Sequence, residues 1–140
     1  MAVNLDAAGI LTQCGLRHFC GQGGGRFVYI GSRAAFRGET PDYLAYAASK
    51  GGLTSLAKSV ARSFGKQGVT SFTLAPGFTR TAMAESFFDT HGEARIIEEL
   101  ALPELTRPEH IAPLVAFICS GKMDHATGCT IDLNAGSYMH

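Results

Sequence analysis

Three short apolar segments constrain the fold of this chain most strongly. Residues 26–31 and 69–74 are rich in aromatic and β-branched side chains, and each segment follows a glycine. A third, shorter run extends from about Cys129 to Leu133. Continuous apolar runs of this length are typical of strands in a buried parallel sheet, whereas half-exposed strands alternate apolar and polar side chains. The sequence therefore predicts a buried parallel sheet.

Helical patterns occupy the segments between these strands. Apolar residues recur at helical spacing from Asn4 to about Cys20 and from about Asp42 to Phe64, and residues 82–102 are predicted to be a short helical segment. Thr106-Arg107-Pro108-Glu109 is predicted to be a capping box that begins a helix ending near Ser120. The alternation of helix and strand predicts an α/β fold with about three parallel strands and right-handed crossover helices.

The composition is that of one domain without a charged face. The chain has 140 residues, of which 46% are hydrophobic, enough to bury one core, so residues 1–140 are predicted to form a single domain. Twelve basic and 12 acidic side chains give a formal net charge of zero, and no basic block stands out. We therefore expect neither nucleic acid nor a membrane surface as a partner.

The spacing of the cysteines bears on metal binding and on the redox state of the protein's compartment. The sequence contains neither a Cys-x-x-Cys pair nor a histidine near a cysteine at ligand spacing, so a metal site is not expected. Reduced thiols in a cytoplasmic protein are the expected state. Neither a charged and apolar leader nor an apolar span of 18 residues is present, which predicts a soluble chain. The four cysteines are Cys14, Cys20, Cys119 and Cys129.

Tyr46 and Lys50 are the most informative candidates for chemistry. They lie four residues apart on a predicted helix and therefore share one face of it. At a separation of about 6 Å and an effective dielectric of about 20, an ammonium stabilises a phenolate by roughly 2–3 kcal/mol. This stabilisation prepares a tyrosine to exchange a proton with a substrate oxygen. The same spacing also occurs by chance, as a buried ring beside a solvated lysine.

Polar residues at two strand ends give the pair its context. Ser32 follows the strand at 26–31, and ligands of open α/β sheets bind beyond the carboxyl ends of strands. A serine in this position is also compatible with a capped turn. Asn4, near the start of the first predicted helix, is as compatible with a helix N-cap as with a role in a site. Pro76-Gly77 and Thr81, after the second strand, are compatible with a turn and a cap.

In this order and spacing, the segments resemble the short-chain dehydrogenase/reductase family. Each motif is weak by itself, but the combination is specific and covers nearly the whole chain. The residues that carry the resemblance are Asn4 in Val3-Asn4-Leu5-Asp6-Ala7-Ala8-Gly9, Ser32, Tyr46-x-x-x-Lys50, Pro76-Gly77-x-x-x-Thr81 and Thr127-Gly128-x-x-Ile131-Asp132.

The resemblance implies an oxidoreductase that interconverts an alcohol and a carbonyl, both small molecules, with NAD or NADP. By resemblance, Tyr46 exchanges the proton of the substrate oxygen, and Ser32 hydrogen-bonds that oxygen. Lys50 supports the phenolate and holds the nicotinamide ribose, while Asn4 orders a water that connects the lysine to solvent. The cofactor-binding residues implied in this way are Tyr46, Lys50, Pro76, Gly77, Thr79 and Thr81.

The resemblance also implies the C-terminal part of a Rossmann-like, doubly wound parallel sheet. Members of the family begin with a strand, a glycine-rich turn and a helix that hold the dinucleotide pyrophosphate, and this sequence contains no such unit. Its glycine cluster, Gly21 to Gly25, precedes a strand and is predicted to be the turn from helix to strand. Only the nicotinamide end of the cofactor site is therefore expected in this chain, with weak dinucleotide affinity for the chain alone.

Two positions depart from the family pattern. Gly31 stands where many members carry a serine, and Asn134-Ala135-Gly136 replaces an acidic residue followed by two glycines. Alanine is tolerated at position 135 only if the backbone there does not need a positive φ angle. Neither change touches the proton-transfer groups. Substrate choice is expected to depend on the segment from Ala82 to Leu105, whose pattern names no particular alcohol or carbonyl. Its notable apolar residues are Met83, Phe87 and Phe88.

Two interpretations remain open. One is a catalytic dehydrogenase/reductase, which the retained serine, tyrosine and lysine favour. The other is a non-catalytic packing module, which the missing phosphate-binding half favours for this polypeptide alone. The helices near 4–20 and 42–64 correspond to those that build subunit contacts in the family, and the first strand would lack its family neighbour. Because an unpaired apolar edge invites another chain, an oligomer or an unusual edge arrangement is expected. The resemblance implies a homo-oligomer through these two helices.

Overall fold

The computed structural model describes residues 1–82, 84, 85, 88 and 92–139. Within these residues the chain forms five α-helices, three strands, one π-helical turn and three short 3-10 turns. The helices are α1 (Ala7–Gly21), α2 (Ala34–Arg37), α3 (Leu44–Phe64), α4 (Glu93–Glu98) and α5 (Pro108–Cys119), and the strands are β1 (Gly25–Ile30), β2 (Val69–Pro76) and β3 (Thr130–Leu133). The π-helical turn is Ala2–Asp6, and the 3-10 turns are Pro41–Tyr43, Gly65–Gln67 and Asp124–Ala126.

The strands form one parallel sheet in the order β1-β2-β3. β1 pairs with β2 from Gly25 opposite Val69 to Ile30 opposite Leu74. β2 continues further and pairs with β3 up to Pro76, which lies opposite Leu133. The predicted α/β class, with three parallel strands as part of a Rossmann-like sheet, is confirmed.

Helices cover both faces of the sheet, which explains the continuous apolar strands. On one face, Tyr29 of β1 packs with Leu53 and Ala57 of α3, and α1 adds to this cluster. On the other face, Phe72 and Leu74 of β2 pack against α5. Burying a side chain of this size stabilises the fold by about 1.5–3 kcal/mol. The first cluster therefore fixes α3 and its site residues against the sheet, and the second cluster fixes α5.

The glycine cluster forms the predicted turn from helix to strand. Gly23 and Gly24 have φ angles of 88° and 141°. A Cβ on Gly24 would lie 2.5 Å from the carbonyl oxygen of Gly68, so the two turns that precede β1 and β2 are in direct backbone contact. This contact brings the amino ends of the two strands together and excludes any other residue type at Gly24.

Several predicted boundaries differ from those observed. The long helix begins at Leu44 and not at Asp42, because the 3-10 turn Pro41–Tyr43 precedes it. The predicted capping box at Thr106 is wrong. Arg107 is the N-cap of α5, and its N–H donates to Nδ1 of His110 at 3.2 Å. Thr106 is occupied elsewhere, since its hydroxyl donates to the carbonyl oxygen of Leu133 at 3.3 Å.

Ala135 has a φ angle of 53°. Alanine was expected to fit here only if φ were not positive, and this condition is not met. A Cβ in the left-handed region crowds the following carbonyl oxygen, so Ala135 is strained. The strain is local, and the backbone stays in place because the Ala135 carbonyl oxygen accepts a 2.8 Å hydrogen bond from Ala101 N–H.

Candidate functional site

A cavity of about 330 Å³ lies at the carboxyl ends of β1 and β2. Three of the residues selected from the sequence line it, namely Ser32, Tyr46 and Gly77. They come from three separate segments: the loop after β1, the first turn of α3 and the loop after β2. The parallel sheet brings these segments together because all its strands end at the same edge.

Ser32 is held in place by backbone pairing that continues beyond β1. Gly31 N–H donates to Leu74 O at 2.7 Å, and Arg33 N–H donates to Pro76 O at 3.1 Å. The Ser32 hydroxyl oxygen accepts a hydrogen bond of 3.1 Å from Ala34 N–H. The serine therefore does cap the turn into α2, while it also lines the cavity. Accepting this bond uses a lone pair and not the hydroxyl proton.

Tyr46 and Lys50 lie on one face of α3, as predicted. The Nζ atom of Lys50 lies 5.8 Å from the centre of the Tyr46 ring. The ring is 39% exposed and lines the cavity, whereas Lys50 is half-buried behind it. Nζ also donates a 2.8 Å hydrogen bond to the carbonyl oxygen of Ile30. Burial lowers the pKa of Lys50 below its usual value.

Asn4 lies inside the π-helical turn, so its interpretation as a helix N-cap is wrong. Met1 is the N-cap of that turn and Asp6 is the N-cap of α1. The Asn4 side-chain amide donates to the Ser49 hydroxyl at 3.3 Å, and this hydroxyl donates to the carbonyl oxygen of Tyr46 at 2.7 Å. Asn4 therefore ties the amino end of the chain to α3 beside both site residues.

Gly77 is fixed by close packing rather than by an unusual backbone angle. A Cβ at this position would lie 2.8 Å from Cβ of Asn134. Gly77 N–H also donates to Leu133 O at 3.3 Å. The loop after β2 is therefore pressed against the loop after β3, which leaves the other side of Gly77 facing the cavity.

Pro76, Thr79 and Thr81 flank the cavity and do not line it. Pro76 is the last residue of β2. The Thr79 hydroxyl donates to the carbonyl oxygen of Gly77 at 3.2 Å. Thr81 is exposed, and its carbonyl oxygen accepts a hydrogen bond from Ala84 N–H. Thr79 and Thr81 therefore lie in the segment that follows β2, and Pro76 ends the strand itself.

Other cavity residues escaped the sequence analysis. Arg33 is only 3% exposed, and its guanidinium carbon lies 4.6 Å from the centre of the Phe78 ring. Glu39 and Tyr43 also line the cavity. The position of Arg33 directly after Ser32 was a usable signal. Its burial depends on Phe78, which is distant in sequence, so no local pattern indicated it.

The segment expected to govern substrate choice is only partly described. Met83 and Phe87 lie outside the described residues. Phe88 is buried and packs with Ile96 and Leu105 in a separate apolar cluster, so it belongs to the core. Ala84 lines the cavity. Within the segment from Ala82 to Leu105, Ala84 is thus the one described residue that reaches the cavity.

Two further features bear on the class of site. Across the described part of the chain, no group of three or more His, Cys, Asp and Glu side chains is placed to hold a metal ion. None of the helices in that part has both the length and the apolar character needed to cross a bilayer.

The fold is Rossmann-like, and comparison with known proteins shows which family shares it. The family model described as enoyl-(acyl carrier protein) reductase matches residues 1–138. The chain is 33% identical over 137 residues to a 3-oxoacyl-(acyl-carrier-protein) reductase of Rickettsia conorii, and 34% identical over 139 residues to that of Vibrio cholerae. These matches cover 98% and 99% of the chain and 56% of each relative.

Solved structures show the same relationship. A 4-hydroxyisoleucine dehydrogenase complexed with NADH superposes with a TM-score of 0.90 at 29% identity, over 96% of this chain and 56% of that one. A provisionally named 2-deoxy-D-gluconate 3-dehydrogenase from Agrobacterium tumefaciens, with bound NADP, gives a TM-score of 0.91 at 27% identity, over 98% and 56%. The chain belongs to the short-chain dehydrogenase/reductase family, and it spans about half the length of these relatives.

Proposed function

We propose that this chain carries the proton-transfer half of an NAD(P)-dependent oxidoreductase that interconverts an alcohol and a carbonyl. One observation carries the proposal. Ser32 and Tyr46 line the same cavity, and the Lys50 ammonium lies 5.8 Å from the Tyr46 ring. A phenol, a hydroxyl and a cation arranged in this way match the needs of an oxygen that gains or loses a proton.

Tyr46 exchanges the proton in this proposal. During reduction its hydroxyl gives a proton to the carbonyl oxygen, and during oxidation the phenolate takes the proton of the alcohol. The cation of Lys50, 5.8 Å from the centre of the Tyr46 ring, favours the phenolate in both directions by its charge. The hydrogen bond to Ile30 O holds the ammonium at this position.

Ser32 steadies the substrate oxygen. Its oxygen already accepts the Ala34 N–H, which orients the side chain, and its hydroxyl proton is the group that donates to the substrate. A donor fixed before the reaction stabilises developing negative charge without having to reorganise.

The residues present fit the nicotinamide end of a dinucleotide. The Lys50 ammonium has three donors, of which Ile30 O takes one, so two remain for ribose hydroxyls. Gly77 lines the cavity between Pro76, the last residue of β2, and the loop that carries Thr79 and Thr81. When bound, the nicotinamide supplies or accepts the hydride. Two of the solved relatives hold NADH and NADP, which supports this class of cofactor.

The relatives also suggest the kind of substrate. Their names refer to 3-oxoacyl, 4-hydroxyisoleucine and deoxygluconate chemistry, each of which involves a hydroxyl or oxo carbon. We infer a small hydroxy or oxo compound as the substrate of this site.

A chimera tests the proposal. The glycine-rich part of the Vibrio cholerae reductase, which precedes its region of similarity to this chain, is joined to Met1. We expect the chimera to oxidise NADH or NADPH with a panel of ketones and 3-oxoacyl thioesters, and the 140-residue chain alone to bind the dinucleotides weakly. A folded chimera that binds NADPH yet turns over none of the panel would contradict the proposed function.

A second candidate function is oligomerisation, and exposed apolar side chains favour it. On the π-helical turn, α1 and α3, the exposed fractions are 84% for Val3, 64% for Ile10, 70% for Leu11 and 62% for Leu44. We propose a homo-oligomer through these helices. Sedimentation should show a dimer or larger species that Leu11→Glu dissociates. Phe117→Glu, which changes an exposed residue of α5, is the control. A monomer at high concentration would refute this interface.

A further inference from the structure

Arg33 is an unusual component of the cavity wall. It is 3% exposed, yet it lines the same cavity as Ser32 and Tyr46. Arginine is almost never fully buried unless its charge is paired. A guanidinium placed at an internal surface therefore needs a partner that accounts for its charge.

The partners within the described residues satisfy Arg33 only in part. Its Nη2 atom lies 4.0 Å from a carboxylate oxygen of Glu99, which is half-exposed and also lies 3.9 Å from Arg37 Nη1. The Phe78 ring covers the guanidinium on one side. Nη1 is buried and has no hydrogen-bond partner in the part of the chain that the structure describes.

The remaining charge near the cavity limits the kind of ligand. Glu39 also lines the cavity, and its carboxylate is held by Arg37 Nε at 3.4 Å. A guanidinium that is paired only in part, beside a second carboxylate, suits a singly charged anion better than a dianion. Burial and the neighbouring charge of Arg37 lower the pKa of Arg33, and a bound anion would offset both effects.

We propose that Arg33 binds the carboxylate of the substrate, so that the site takes short hydroxy acids or oxo acids. The hydroxyl or carbonyl of the substrate lies at Ser32 and Tyr46, and its carboxylate lies at the guanidinium of Arg33, which lines the same cavity. The position of the reacting oxygen rests on the proposed function, whereas the binding of the carboxylate does not.

The backbone supports this arrangement. Ser32 and Arg33 are consecutive, and Arg33 N–H is fixed to Pro76 O at 3.1 Å. Both side chains reach the cavity from one rigid strand end. The proposal therefore places one oxygen-bearing group of the substrate at each of these two residues.

Calorimetric titration of the 140-residue chain tests the proposal with two probes that differ in charge. The probes are 3-hydroxybutyrate and its neutral amide, 3-hydroxybutanamide. We expect the carboxylate to bind at least about tenfold more tightly than the amide, the gain typical of a charged hydrogen bond. Arg33→Gln should reduce this ratio to near one. Arg62→Gln, which removes an exposed arginine of α3, should leave the ratio unchanged.

The outcomes separate this inference from the proposed function. Equal binding of the two probes, binding of neither, or a preference that survives Arg33→Gln overturns the role of Arg33. If Arg33→Gln does not fold, Arg33→Lys, which keeps the charge, should retain part of the preference, and the wild-type ratio decides by itself. A chimera that reduces oxo acids and their amides equally well overturns the inference and leaves the dehydrogenase function standing.

Discussion

The Nζ atom of Lys50 donates a hydrogen bond of 2.8 Å to the carbonyl oxygen of Ile30, the last residue of β1. This bond joins α3 to the strand end that continues into Ser32. The lysine that faces Tyr46 therefore also fixes the helix of Tyr46 against the strand of Ser32. The Lys50 side chain therefore sets both the position of the Tyr46 helix and the positive charge beside the Tyr46 ring.

Replacing Lys50 with Met should change how stability depends on pH. Burial lowers the pKa of Lys50 in the folded state. As the pH rises through this lowered pKa towards the usual value of 10.5, the folded protein releases the proton while the unfolded chain retains it. Stability of the wild type should therefore rise in this window relative to Lys50→Met. Urea unfolding at a series of pH values measures the difference.

The exposed Lys58 of α3 provides the matched control for this experiment. Lys58→Met, measured over the same window, accounts for the general effect of removing a lysine from α3. A constant stability difference between Lys50→Met and the wild type would contradict the assigned burial of the ammonium.

Asn4 and Ser49 should be energetically coupled. Their side chains share a hydrogen bond of 3.3 Å, and Ser49 is fully buried. A double-mutant cycle with Asn4→Ala and Ser49→Ala should give a coupling free energy of about 0.5–1.5 kcal/mol. Ser59, whose hydroxyl only bonds back to its own helix, replaces Ser49 in the control cycle, where coupling should be close to zero. Equal coupling in both cycles would count against the contact.

Gly31→Ser should destabilise the fold even though many family members carry serine there. A Cβ at Gly31 would lie 2.8 Å from Cγ2 of Thr73 and 3.1 Å from Leu74 O. Overpacking of this kind typically costs about 1–3 kcal/mol. Thr73→Ala removes one of the two contacts, so it should recover part of the loss in the Gly31→Ser background. Chemical denaturation measures each free energy of unfolding.

Gly51→Ala serves as the control for added volume, because nothing lies within 4 Å of a Cβ at that position. It should stabilise α3 by about 0.5–1 kcal/mol, the usual difference between alanine and glycine inside a helix. If Gly31→Ser were as stable as the wild type, the close approach at Gly31 would be wrong.

Ala135→Gly should stabilise the protein by up to about 1 kcal/mol. The φ angle of 53° strains alanine, and glycine adopts it without penalty. The gain is reduced by the larger conformational entropy of glycine in the unfolded chain. Ala48→Gly in α3 should have the opposite sign. Thermal unfolding of the two variants compares them directly, and a loss of stability in Ala135→Gly would refute the strain.

The sequence predicted the parts of the fold that depend on local periodicity. The strands at 26–31 and 69–74 and the long helix ending at Phe64 were placed within one to two residues at most boundaries. The short helix Ala34–Arg37 was not predicted, because four residues show no helical period. The cap of α5 was misplaced because Thr106 is taken up by a tertiary contact with β3.

The residues of the site also fall into those that a local pattern indicates and those that depend on tertiary contacts. Ser32 and Tyr46 could be selected because strand ends and the spacing of four residues are visible in the sequence. The buried guanidinium of Arg33 could not, since it depends on Phe78 from a distant loop. The sequence showed that alanine at position 135 would be strained if φ were positive, but only the structure gives the φ angle.

Removing the Tyr46 hydroxyl tests the central claim most directly. In the chimera, Tyr46→Phe should lower turnover by at least about 100-fold, the usual contribution of a positioned proton donor, while NADPH affinity stays within a few-fold. Tyr29→Phe, which removes a hydroxyl bonded to Thr12 in the core, should keep nearly full turnover. Turnover by Tyr46→Phe within a few-fold of the parent chimera would contradict the account.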